Sequence, residues 1–578
     1  MGPINAIIIG AGPSGISMGH KLKHELGFND FMIFDKLDGP GGTWRTNTYP
    51  GCGCDVHSHL YSFSFNLNPN WSKQLAEQPE ILQYMEDTVD KFCLRPHIHG
   101  SVECLGAKWI GKEGHWAVHF KDWQTGITFT RTATLLISAV GGISIPRDVH
   151  FDGMESFRGP MFHTARWNHN VDYKDKRVAV IGSGCSSVQV IPSLAKEAKS
   201  VKQYARSPQW YGDRPNRPFT AVEKFLFRWL PFYMLMHRWN IFWSIDKESY
   251  TYRGTDAGVK QRLKEEEKGR QYIRSKAPKE YHEILTPDFE MGCKRKIADP
   301  GYLESLNWPN VELIPEGLQK ITPDGIISSS GREDEYDIIV LGTGFKVSQF
   351  MTPMEVIGAN GQTLEQQWKE HRGAQAYLGT FVHNFPNMAI LFGPNTFPAN
   401  NSALYACEVQ VDYAARALIK PLMDQRADAI EVKEAVENRT TNDIQLRLKD
   451  SVFAGRCSNW YIGEYGRNAA SWPGLAIEYW LATLIPDQDA FIQKGGIYAS
   501  FLVDYIVMFG KTHFGIDVEL REQRNSWLIQ KAWQKASSYV SYRLLSRLRK
   551  DPGLPGSFNS KQHIKSSACV RESLSEIR

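Results

Sequence analysis

The chain has 578 residues, of which 42% are hydrophobic, and 67 Lys and Arg set against 63 Asp and Glu leave a net charge of +4. That length exceeds a single hydrophobic core, so two or three domains are expected, or one nucleotide-binding domain interrupted by another, and the balanced charge excludes a nucleic-acid footprint. Nine Cys, an odd number spread over a long chain, and the absence of a charged leader ahead of the first apolar run predict reduced thiols and a cytoplasmic location.

The first element is "AIIIGAGPSG", a buried-strand pattern ending in Gly10, Gly12 and Gly15, followed by helical spacing and then "DFMIFDK", a second strand ending on Asp35. This is a βαβ unit for a dinucleotide. Gly10 permits the tight turn, Gly12 lets the backbone approach a pyrophosphate, and Gly15 lets helix and strand pack closely; Asp35 is placed to accept ribose hydroxyls. Next comes "GGTWRTNTYPGCGCDVHSHLYSFSF", Gly41 to Phe65, which holds Trp44, Pro50, Cys52, Cys54, Asp55, His57 and His59. A metal site, a redox disulfide and a cofactor wall would each use some of these residues. The Cys-x-Cys spacing disfavours an intramolecular bridge, and no well-placed second ligand pair accompanies Cys54, His57 and His59, so no metal is expected.

The unit then repeats in "KRVAVIGSGCSSVQVIPSLAKEAKSVKQYARS", with Gly182, Gly184 and Ser187 after a strand and Arg206 where the first unit carries an acid. A guanidinium forks onto the phosphate of an adenosine ribose that an acid would repel, so this unit predicts NADP(H). Ser187 in place of a third Gly implies a slightly wider helix-strand contact. Two units imply two dinucleotides, FAD at the first and NADPH at the second.

"FLFRWLPFYMLMHRWNIFW", Phe225 to Trp243, is long enough to span a membrane but carries Arg228, Pro231, His237 and Arg238. Each Arg near the middle would cost roughly 2.5–3.5 kcal/mol, which leaves helices that cover a site, touch a membrane surface or simply pack. "IYASFLVDYIVMF", from Ile497, is too short to span. "EYDIIVLGTGF", Glu335 to Phe345, reads as a return strand rejoining the first domain. The expected fold is therefore α/β, with two Rossmann-like domains and the NADP domain inserted into the FAD domain. Residues 1–165 and 336–485 form the FAD domain, 166–335 the NADPH domain with a helical insertion at about 219–290, and 486–578 a helical extension and tail. Leu391 to Tyr405 and Cys457 to Gly474 combine Gly, Asn, Trp and Pro in a way that suits loops over a pocket.

"FRGPMFHTARWN", Phe157 to Asn168, resembles the FxGxxxHxxxW fingerprint of class B flavoprotein monooxygenases, and Trp167 favours their Baeyer-Villiger branch. Gly41, Gly42, Trp44, Tyr49, Pro50, Gly51 and Asp55 resemble a second signature of that branch, "VLGTGF" is similar to its returning strand, and "MGCKRKIAD" to the segment with its active-site arginine. The resemblance covers the chain to about residue 480. It implies insertion of one oxygen atom from O2 beside the carbonyl of a ketone, and the many aromatics in Phe225 to Trp243 suggest that this ketone is bulky and apolar. Gly42, Thr43 and Trp44 would then wall the flavin, Lys294 would join Arg206 on the 2′-phosphate, and His163 would be structural. The anionic oxidant of such a reaction needs a nearby cation, which the resemblance assigns to Arg295, oriented by Asp55. At about 4 Å and an effective dielectric near 20 that attraction is of order 4 kcal/mol. The alternatives are an N- or S-oxygenating flavin monooxygenase and a flavin reductase or oxidase that inserts no oxygen.

Overall fold

The structure is a computed structural model that describes residues 4–495 except 348, 352, 399, 400, 455, 456, 458 and 464. Of the C-terminal extension expected at 486–578, residues 486–495 are described, with a 3₁₀ turn at Gln488–Ala490 and a short strand at Phe491–Lys494, and the apolar stretch beginning at Ile497 lies outside the described residues.

The first sheet orders its strands Met388–Ile390, Leu135–Ser138, Ala6–Ile9, Phe31–Phe34 and Ile98–His99, all parallel. Ala6–Ile9 and Leu135–Ser138 are buried at every position. Parallel strands covered on both faces need continuous apolar runs, which is why these segments show no alternation. Gly10 then turns the chain at φ +107°, a conformation open to glycine, with Ala139 O only 2.5 Å from where a Cβ would sit. The helix Pro13–His20 leaves from Gly12 and packs on Ala403–Ala414, where Ser14 Oγ meets Cys407 Sγ at 3.0 Å.

The second sheet orders Val311–Ile314, Ser200–Tyr204, Arg177–Ile181, Ile338–Leu341 and Met161–His163, again parallel. Two expectations are corrected here. The strand within "EYDIIVLGTGF" does not rejoin the first domain; Ile338–Leu341 pairs with Arg177–Ile181, and the chain returns to the first sheet at Met388–Ile390. The fingerprint strand Met161–His163 forms the edge of the same sheet, so the second unit starts before 166 and ends after 335. An apolar four-residue strand buried at every position carries no mark of which sheet it enters.

The helical insertion expected at about 219–290 is seen as helices that fill most of 221–285. Ala221–Trp229 opens with a capping box between Thr220 and Glu223, and Pro231–Asp246 opens with proline, which lacks the N–H that a first turn leaves unpaired. Asp256–Lys276 follows after a short 3₁₀ segment. Among the described residues no helix is long and apolar enough to cross a membrane. The expectation of reduced thiols is also corrected: Cys293 and Cys457 form a disulfide across a sequence separation of 164, while Cys52, Cys54, Cys104, Cys185 and Cys407 are free.

Candidate active site

Both glycine-rich turns open onto one cavity of about 980 Å3, lined by Gly10, Gly12, Asp35, Gly42, Thr43, Trp44, Asp55, Gly182, Gly184, Arg206, Lys294 and Arg295 among others. The helices Pro13–His20 and Cys185–Leu194 begin at Gly12 and Gly184 with no side-chain cap, so their first N–H groups are unclaimed by side chains. A Cβ on Gly184 would meet nothing within 4 Å, and one on Gly12 would meet Gly42, with Cα at 3.5 Å and N at 4.0 Å. Two uncapped helix starts with bare backbone facing a shared cavity fit the phosphates of two dinucleotides.

Gly15 and Ser187, expected among the cofactor-binding residues, do not line the cavity. A Cβ on Gly15 would stand 1.9 Å from Gly10 O, so its place is the helix-strand contact. Ser187 is fully buried, its Oγ 3.5 Å from Gly342 O in the neighbouring turn. Asp35 does reach the cavity, and its carboxylate accepts from Ala11 N at 2.6 Å and Leu37 N at 2.8 Å, which braces the first turn. A carboxylate holds about four acceptor positions, so ribose hydroxyls can share it.

The loop from Gly41 to Phe65 crosses between the two units. Gly41 N donates to Ala11 O at 3.0 Å, and Gly42, at φ +54°, lies so near Gly12 that a Cβ would come within 2.8 Å of its Cα. Trp44 Nε1 donates to Tyr61 Oη at 3.1 Å. On the far side Tyr49 Oη donates to Gln189 Oε1 at 2.8 Å, and Gln189 Nε2 donates to Gly53 O at 2.9 Å. Gln189 belongs to the helix Cys185–Leu194, so the loop is fastened to the second unit.

At the junction Arg295 Nη2 and Nε donate to the same oxygen of Asp55, at 2.8 and 3.1 Å. Burial pushes the Asp55 carboxyl up, and the charge and hydrogen bonds of Arg295 outweigh it, leaving the carboxyl below its usual range. The Asp55 charge in turn raises Arg295 against burial. The Cys185 thiol, lifted to about 11 mainly by burial, feels both charges from the start of the second helix. Lys294 Nζ donates to Ser207 Oγ at 3.0 Å beside Arg206, and Arg206 pairs with no carboxylate among the described residues. Burial lowers the Lys294 ammonium.

His163 caps the turn after its strand, its Nδ1 accepting from Ala165 N at 3.0 Å, and does not line the cavity. Burial raises the Cys52 thiol to about 11 and the Cys54 thiol higher still, which suits packed thiols rather than redox exchange. Among the described residues no group of three His, Cys, Asp or Glu is arranged to hold a metal ion. Both late loops reach the cavity, through Phe392, Phe397 and Asn401 from the first and Asn459 and Trp460 from the second. Sequence reading missed Gln189, which shares its helix with Ser186, Ser187 and Ser193 and carries no distinguishing local signal, so only its partners in the Gly41–Phe65 loop reveal its role.

The profile of the family described as pyridine nucleotide-disulphide oxidoreductase matches residues 7–223. A Baeyer-Villiger monooxygenase of Pseudomonas aeruginosa is 36% identical over 488 residues, covering 84% of this chain and 90% of that protein. The FAD-binding monooxygenase ktnD of Aspergillus niger is 33% identical over 492 residues, covering 82% and 79%. The crystal structure of cyclohexanone monooxygenase from Rhodococcus sp. Phi1 bound to NADP+ superposes with a TM-score of 0.75 at 26% identity, covering 85% of this chain and 99% of that one. With two dinucleotide turns facing one cavity and relatives of this identity along most of its length, the chain belongs to the Baeyer-Villiger branch of the flavoprotein monooxygenases, enzymes dependent on FAD and NADPH.

Proposed function

We propose that this enzyme inserts one oxygen atom of O2 beside the carbonyl of a bulky, apolar ketone, giving an ester or lactone, with Arg295 as the cation that favours the charged form of the oxidant. The observation that carries the proposal is the Arg295–Asp55 pair at the meeting point of the two glycine-rich turns. Bound FAD, reduced by NADPH, supplies the activation of O2. Arg295 contributes a fixed positive charge, and Asp55 holds the guanidinium in one orientation so that it needs no reorganisation when negative charge builds. Gly10, Gly12 and Asp35 would receive the FAD pyrophosphate and ribose, with Gly42, Thr43 and Trp44 as the wall beside the ring. Gly182 and Gly184 would receive the NADPH pyrophosphate, and Arg206 and Lys294 its 2′-phosphate. Phe392, Phe397 and Trp460 line the cavity, exclude water and support an apolar substrate, as in natural-product tailoring. Residence in the cytosol loses the support of reduced thiols, because the Cys293–Cys457 bridge is oxidised.

Arg295→Ala tests the reading. A charge interaction of about 4 kcal/mol corresponds to roughly three powers of ten, so ketone oxygenation should fall about a thousandfold while NADPH oxidation persists. Unchanged ketone oxygenation would overturn the assignment, and sulfide oxygenation surviving as the main activity would favour the N- or S-oxygenating class. Absence of label in product formed under isotopically labelled O2 would leave only a non-oxygenating flavoenzyme.

A further inference from the structure

The helical hairpin formed by Ala221–Trp229 and Pro231–Asp246 turns large apolar side chains both inward and outward. Phe227, Met234, Ile241 and Phe242 are buried. Val222, Phe225 and Trp229 on one helix, and Phe232, Met236 and Trp239 on the other, form two stripes at spacings of three and four residues on the solvent side. Met236 is 64% exposed and both indoles 55%. A surface helix normally reserves that side for polar groups, and an exposed patch of this size marks a contact site.

The charges select the partner. Arg217, Lys224, Arg228, Arg238 and Lys247 lie between 217 and 247 against two acids, Glu223 and Asp246. Glu223 is held by Arg217 at 2.6 Å, and Asp246 is buried, accepting from Ala476 N at 2.7 Å, so neither presents a free carboxylate outward. Arg238 turns inward to the carbonyl of His59. Lys224 and Arg228 remain beside the apolar stripes, with Arg228 exposed and donating to Asn70 Oδ1 at 3.2 Å. Indoles and aliphatic side chains rimmed by cations match the interface of an anionic bilayer. A second copy of this chain is disfavoured, because a two-fold contact through this face would set the same cations against each other.

The base of the hairpin packs against the loop and helix start that line the cavity. Asp246, its last residue, accepts from Asn401 Nδ2 at 3.2 Å, and Asn401 lines the cavity; the Phe242 ring packs at a tilt against Tyr405, 4.9 Å between centroids, and Tyr405 follows the cavity residue Leu404. We propose that this hairpin seats the enzyme on an anionic lipid surface and takes up its apolar ketone from there, a step that rests on the substrate class proposed above.

Co-sedimentation of the full chain with phosphatidylcholine vesicles, with and without phosphatidylserine, tests the docking independently of turnover. Binding is expected on the phosphatidylserine vesicles, weakened about tenfold for each indole lost in Trp229→Ser and Trp239→Ser. Lys224→Gln and Arg228→Gln should each weaken it about fivefold. NADPH oxidation should be unchanged in all four variants, which shows that they fold, while oxygenation of a vesicle-loaded ketone falls. The proposal is overturned if the chain stays in the supernatant, if it binds both vesicle types equally, or if the indole variants merely convert a dimer into a monomer. If vesicle binding behaves as expected but no ketone is oxygenated, the substrate assignment fails and the docking stands.

Discussion

Asp55 and Arg295 are 240 positions apart in sequence and share one hydrogen-bonded oxygen in space. The carboxyl lies below its usual 3.8, so the pair is ionic over the whole working range and is lost only as pH falls through that depressed value. Asp55→Asn should leave the Arg295 charge in place but release its orientation. A hydrogen bond to a charged group is worth about 1.5–3 kcal/mol, so ketone turnover should drop roughly ten- to hundredfold, less than for Arg295→Ala, with NADPH oxidation retained. The second pair of cations separates cofactors. Arg206→Ala and Lys294→Ala should each raise KM for NADPH about tenfold or more and leave KM for NADH nearly unchanged, as read in steady-state flavin reduction. Arg206 is legible from its position at the end of a strand in a βαβ unit. Arg295 is not: nothing local in "CKRK" distinguishes it from its two lysine neighbours, and only resemblance, then geometry, singles it out.

At the scale of elements, the hairpin covers a cluster of imidazoles. His59, 1% exposed, packs against Phe219 at 4.7 Å, Phe227 at 4.3 Å and His237 at 5.2 Å. Burial, with the His237 and nearby arginine charges, pushes His59 down to about 3 and His57 to about 4, and burial lowers His237 also. These folded values lie below the ordinary 6.5, so the unfolded chain takes up protons first. Stability is therefore complete above about pH 6.5 and is lost as pH falls toward 4, by about 1.4 kcal/mol per pH unit for each histidine. Urea unfolding at pH 7 and 5 should show the loss, and His59→Phe should flatten it. The disulfide ties the segment of Arg295 to the loop of Trp460, and its reduction should lower stability by about 2–4 kcal/mol and uncouple part of the NADPH oxidation from oxygenation, measured with and without dithiothreitol. Strands Ala6–Ile9 and Arg177–Ile181 were legible because glycine turns follow them. Ile338–Leu341 was misplaced because its apolar run names no partner, and the bridge from Cys293 to Cys457 was missed because nothing in either neighbourhood points to the other.

For the whole molecule, the working unit is the contact between two sheets that sequence alone presents as separate domains. The loop Gly41–Phe65 fastens to Ala11 at one end and to Gln189 and the helix Cys185–Leu194 at the other, so it sets how the two dinucleotide turns face each other. Gly51 sits where the loop meets that helix. Its φ is +82°, and a Cβ there would stand 2.5 Å from Gln189 O and 2.6 Å from Ser193 Oγ. Backbone oxygen cannot step aside as a flexible side chain can, so Gly51→Ala must push the loop off the second unit, with about 1 kcal/mol of backbone strain added. The turn at Gly10–Gly12 is untouched, and FAD content should stay near that of the parent enzyme. Hydride transfer depends on placement within about an ångström, so the rate of flavin reduction by NADPH in stopped flow should fall by up to about a hundredfold. Tyr49→Phe removes only the hydrogen bond to Gln189, worth about 0.5–1.5 kcal/mol, and should slow reduction several-fold at most. A Gly51→Ala enzyme that loses stability yet reduces its flavin at the parent rate would show that the loop holds the units together without setting their alignment; a slowed reduction at full FAD content shows that the alignment itself is what the loop supplies.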